Sequence, residues 1–154
     1  MNKNKKNKGF TLIEILVVIG IIAILAAVVL IAINPAKQFA SANDSQRSAN
    51  LNAILNAIGQ YMADNKGNYP PAMLNLTQGT KNITSAAGGM NLCNNLVPVY
   101  LPALPSDPKS QHDGAGITNC ADYNTGYTVS TSTNRITVTA PLTESTSTPI
   151  SITR

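Results

Sequence analysis

Few side chains in this sequence are equipped for chemistry. There is one histidine, His112, and there are two cysteines, Cys93 and Cys120. No residue stands in a nucleophile motif, and no glycine-rich loop is placed to cradle phosphate. The chain therefore reads as a non-enzyme. Outside the cytoplasm the two cysteines are expected to pair, closing a loop worth roughly 3–4 kcal/mol on the chain-entropy model. Free thiols or a metal pair are the alternatives, but two cysteines and one distant histidine fall short of a four-ligand zinc site. The residue that most needs a reason is Glu14. It lies near the start of KNKGFTLIEILVVIGIIAILAAVVLIAIN, residues 6–34. At a bilayer centre an acidic side chain costs about 2.5–3.5 kcal/mol, and nearer the edge it still wants a partner.

The element that carries Glu14 is a membrane-length helix. From Ile15 to Ile33 nineteen residues bring no charge and no hydrogen-bonding side chain, which meets the length criterion for a span. A helix from Phe10 to Ile33 would be about 36 Å long against about 30 Å of hydrocarbon. Lys3, Lys5, Lys6 and Lys8 precede it, and no basic cluster follows directly. The positive-inside rule puts the N-terminus in the cytoplasm and residues 35–154 outside. A buried core helix would not need so long an unbroken run. A cleaved secretory signal has a shorter apolar core, although Ala40-Ser41-Ala42 offers a small-x-small site. A plain membrane anchor accounts for the span and leaves Glu14 unexplained. Beyond the leader the charge is balanced, because the four lysines are among eleven positive charges and all seven acidic residues come later. That balance excludes a basic nucleic-acid footprint.

Gly9-Phe10-Thr11-Leu12-Ile13-Glu14, after a lysine-rich leader and before an apolar run, resembles the processing site of type IV pilins and type II secretion pseudopilins. The resemblance implies cleavage between Gly9 and Phe10 by a prepilin peptidase on the cytoplasmic side, and methylation of the new Phe10 amine. Residues 1–9 would be the leader. Residues 10–34 would be the transmembrane and assembly helix, and 35–154 the exported domain. Glu14 would pair with the N-terminal amine of a neighbouring subunit, since a paired carboxylate is tolerable in low dielectric where a lone one is not. Snorkelling of Glu14 to the headgroups is the alternative. Gly20, alone in the run, fits close helix packing.

The rest of the chain is expected to complete an α+β, pilin-like fold. At Asn34-Pro35 either one helix kinks or Asn34 caps a second helix with Pro35 as its first residue. The family often carries its helix-breaking proline about a turn earlier, where this chain has Ile31. Residues 35–66 read as an amphipathic helix with Leu51, Ile54, Leu55, Ile58 and Met62 on one face, and Phe39 extends that face upstream. Between them lies an Asp44/Arg47 pair at i,i+3. The helix should stop near Asn65-Lys66-Gly67. Residues 67–154 hold loops and an antiparallel sheet. Residues 72–125 read as loop-rich, and Leu96 to Pro108 has a weaker family likeness. Gly126–Ser130 and Arg135–Ala140 form a hairpin. The tail, with Ile150 and Ile152 alternating, either adds a short strand or stays loose.

Some major pseudopilins bind calcium near the sheet, which makes Asp107, Asp113 and Asp122 weak candidates; Asx-turn chemistry explains them as well. The acceptor patterns at Asn75 and Asn82 read as chance in so Asn- and Thr-rich a chain. No other cofactor is expected. Partners implied by the resemblance are copies of the chain itself, the peptidase, an inner-membrane assembly platform and the membrane. The first functional expectation is a subunit of a type IV pilus-like surface filament. The alternative is the major pseudopilin of a type II secretion system, acting in the periplasm. A membrane-anchored binding protein that never polymerises is the third.

Overall fold

In the computed structural model residues 9–74, 79–133 and 135–154 are described. Residues 1–8 of the lysine-rich leader and the Asn75 acceptor pattern lie outside them. The chain divides into two units, Met1–Gln38 and Phe39–Arg154.

The first unit holds α1, Leu12–Ile33. From Ile15 onward its side chains are aliphatic on every face, as a membrane span requires, and no residue of α1 is buried within the chain. The helix stops at Asn34, whose backbone is left-handed (φ 44°). A second helix, α2, begins at once with Pro35 and runs to Asp64. The Asn34 carbonyl and its side-chain oxygen both accept from the Lys37 amide, at 3.1 and 3.4 Å. Asn34 therefore ends one helix and caps the next, and Pro35 takes the first helical position, where its missing N–H costs nothing. The junction is thus two helices rather than one kinked helix.

The second unit is built on α2. Leu51, Ile54, Leu55, Ala57 and Ile58 are buried at helical spacing, and Met62 packs at the margin of the core. The helix ends where the Gly67 amide donates back to the Met62 carbonyl at 2.7 Å, with Lys66 and Gly67 both at positive φ. Phe39 departs from expectation: it is 70% exposed. The core covers α2 only from Asp44 onward, so a residue with the right spacing has nothing to pack on.

The other layer is a four-stranded antiparallel sheet in the order β1 (Thr80–Thr84), β2 (Asn124–Ser132), β3 (Arg135–Ala140), β4 (Ile150–Thr153). β2 and β3 form the expected hairpin, with Val129 opposite Val138 and Ser132 opposite Arg135. Thr125, Tyr127 and Val129 on β2 and Ile136, Val138 and Ala140 on β3 alternate into the core facing α2. The tail is a strand: Ile152 pairs with Val138 and Ile150 with Ala140. β1 falls inside the stretch read as loop. Its inward signal is weak, because Ile83 is its only apolar residue. Between β1 and β2 a short helix, α3 (Cys93–Leu96), and a long loop close the core, with Leu92, Leu96 and Leu104 fully buried.

Candidate functional site

Two places in the chain hold definite arrangements of polar side chains, and sequence reasoning does not single out the second as a site. The first is the N-terminal end of α1. Gly9 and Phe10 precede the helix and are exposed, Phe10 to 85%, and Thr11 is extended (φ −82°, ψ 152°). The Gly9–Phe10 bond therefore sits in open chain just before a rigid rod, which is the form a peptidase can engage. A side-chain carbon added at Gly9 would meet no atom within 4 Å. Among the described residues nothing in the packing calls for glycine there.

Glu14 makes contacts the sequence reading passed over. The Glu14 amide donates to Thr11 Oγ1 at 3.2 Å, while the Thr11 amide and hydroxyl both donate to Glu14 Oε2 at 2.8 Å. This is a capping box, and its Thr-x-x-Glu spacing is legible in the sequence. The carboxylate satisfies helix-end donors that have no partner inside the helix, and it sits where the helix dipole favours negative charge. Glu14 is therefore stabilised within its own chain.

The second place is a buried ionic cluster centred on Arg47, whose side chain is fully buried. Its Nε and Nη2 donate to the two oxygens of Asp107 at 2.7 and 3.0 Å, a bidentate pairing. Nη1 donates to Asp44 at 2.8 Å, and Nη2 also meets Glu144 at 2.9 Å. Lys109 closes the far side of Glu144 at 2.7 Å. Asp44 in turn accepts from the Glu144 amide, and from the amide and hydroxyl of Ser145. One guanidinium thus ties α2 to the loop before β2 and to the segment leading into β4. Burial alone would raise the Asp44 pKa, but the Ser145, Arg47 and Glu144 hydrogen bonds outweigh it and hold the carboxyl at about 2. Lys109 first, then Asn43 and Arg47, hold Glu144 at about 2. Asp107, above all, drives the Arg47 pKa further up.

Gly126 makes room for this arrangement. It has φ 79°, and a Cβ there would lie 2.9 Å from that of Asp107, so only glycine lets the loop lie this close to β2.

The remaining candidates are scattered. Asp107, the first calcium candidate, spends its carboxylate on Arg47 and on the Lys109 amide. Asp113 sits in a turn at φ 46°, and Asp122 is exposed. Among the described residues no three His, Cys, Asp or Glu side chains gather as a metal-holding group. Cys93 and Cys120 form a disulfide with Cα atoms 5.4 Å apart, which fastens α3 to the loop before β2. Asn82 lies on β1, and Thr84 of the same acceptor pattern is buried, with its hydroxyl donated to the Tyr123 carbonyl.

Residues 4–30 match the prokaryotic N-terminal methylation motif. Over 110 residues, 70% of each chain, the sequence is 34% identical to the type II secretion system core protein G of Escherichia coli (strain K12). No solved structure is a significant match.

Proposed function

The chain belongs to the type IV pilin and type II secretion pseudopilin family, and on that premise we propose that it is the repeating subunit of a secretion-type pseudopilus. The observation that carries this reading is the 34% identity to a type II secretion core protein over 110 residues. That length reaches well beyond the 4–30 motif, which pilins and pseudopilins share. Sequence reasoning put a surface pilus first, and the relative moves the weight to its alternative.

The apolar α1 holds the precursor in the membrane with its leader in the cytoplasm. A prepilin peptidase cuts after Gly9, and the freed Phe10 amine is methylated. An assembly platform then draws the subunit into a helical bundle of α1 segments. In that bundle Glu14 exchanges or supplements its Thr11 contacts with the amine of a neighbour, because a charge leaving the headgroup region needs a partner. The folded unit rides outside the bundle.

The test is the N-terminal peptide mass of protein recovered from the cell envelope and from sheared surface material. A peptide beginning at methylated Phe10 and confined to the envelope supports a pseudopilus. The same peptide abundant in sheared filaments returns the pilus reading. An intact leader in both fractions overturns membership in any processed filament. Glu14→Ala should be cut normally and assemble poorly, and abundant normal filaments would defeat the pairing role.

A further inference from the structure

Among the described residues no packing explains either Phe39 or Gly59. Phe39 is the folded unit's one phenylalanine, and it is the large apolar side chain that α2 leaves exposed. Gly59 stands in the interior of the same helix, where glycine weakens a helix relative to alanine. A side chain at Gly59 would meet no atom within 4 Å, so the fold gains nothing from the missing one.

Gly59 borders a groove of about 480 Å³ floored by Leu55, Met62, Tyr69 and Ile136. Arg154 lies at its rim, its guanidinium donating to Asn52 at 3.2 Å and also to Asn56. This is an apolar slot of the size that takes a small organic group, with a fixed cation beside it. A planar aromatic ring suits both features, since it fills apolar space and presents a face to the guanidinium.

We propose that this groove receives Phe39 of a second copy of the chain. The inference rests on the reading of the protein as a filament subunit. Ring and groove lie on different parts of one folded unit, so the contact is heterologous and propagates instead of closing a pair. Phe39 also continues, six residues on in sequence, the exposed apolar run of α1 that ends at Ile33, which is the family's assembly element. Twenty residues of helix separate Phe39 from Gly59, so two parallel copies joined this way are offset by about 30 Å along the helix. One aromatic ring buries only about 150–250 Å², against the roughly 1,000 Å² that a specific interface needs. The contact therefore sets the offset between copies whose main adhesion comes from α1.

The test uses the full-length chain in cells that carry its assembly machinery, with a benzophenone amino acid at position 39. Illumination should give dimers and higher multimers, with the cross-link mapped to the 55–63 peptide. Gly59→Leu should abolish that cross-link. Phe39→Ala and Gly59→Leu should each lower filament yield at least ten-fold; Phe39→Ala should leave the melting temperature of the folded unit within about 2 °C of wild type, and Gly59→Leu should not lower it. Gly59→Ala should melt higher. Filaments that form normally with position 39 cross-linking elsewhere, to lipid or to a different protein, overturn this inference and leave the subunit reading standing. Failure of the wild-type chain to form any multimer, including through benzophenone at Ile19 within α1, overturns the subunit reading and this inference with it.

Discussion

Replacing Arg47 by methionine keeps the apolar stem and removes the one group that neutralises Asp44, Asp107 and Glu144 together. Asp107 is fully buried, so its charge would lose the bidentate partner with no water to replace it. Removing one member of a buried pair costs about 3–5 kcal/mol because the other charge is stranded. For a domain of roughly a hundred residues that is a fall of about 10–20 °C in melting temperature. The protein has no tryptophan, so the measurement is near-UV circular dichroism of the buried Tyr123 and Tyr127, on the full-length chain in detergent. The pH dependence sharpens the test. Asp44 and Glu144 are held at about 2 in the folded protein, below their ordinary values of 3.8 and 4.5. Their contribution is therefore present above those values and is lost as pH falls toward 2. Wild type should weaken through that window. Arg47→Met should weaken less steeply there, because Arg47 is one of several donors holding Asp44 and Glu144, and Ser145, Lys109 and Asn43 remain. Arg47→Met combined with Asp107→Leu should recover part of the loss at pH 7. A single variant within about 1 kcal/mol of wild type at pH 7, or one with the same acid profile, would refute the account of the cluster as an ionic clasp.

Gly9→Ala should leave the folded unit unchanged and the leader attached, read as an intact N-terminal peptide by mass spectrometry. Cys93→Ser should lower stability by roughly 3–4 kcal/mol under oxidising conditions, and wild type should match it once reduced; equal melting temperatures before and after reduction would show that the bond contributes nothing. Tyr127→Phe removes the hydroxyl that accepts from Asn50 Nδ2 at 2.9 Å and should cost about 1 kcal/mol by urea denaturation. Thr11→Val removes one arm of the capping box, so it should fray the first turn of α1 by about 1 kcal/mol, seen as faster amide exchange at Leu12 to Glu14.

What the sequence alone determined is whatever depends on neighbours along the chain. The cleavage motif, the span from Ile15 to Ile33, the core stripe from Leu51 to Ile58 and the β2–β3 hairpin are all patterns within a dozen or two residues. A helix or a strand repeats on that scale, so composition and period suffice. The Thr11–Glu14 box belongs to the same class. Phe39 shows where such reasoning ends. Its spacing is right for the core face, but whether anything lies over it depends on how far the sheet reaches along α2. β1 was hidden because its one apolar residue, Ile83, cannot make a period, and β2 recruits it through backbone hydrogen bonds that any side chains permit. Arg47 is the clearest case. Asp44 is visible three residues away as a surface pair, yet Asp107 and Glu144 come from distant segments that carry no local sign of their destination. Only packing of the 104–110 loop and the 141–149 segment against α2 removes water from that guanidinium. It is the removal of water, a property of the assembled fold, that turns a weak surface pair into the ionic centre of the domain.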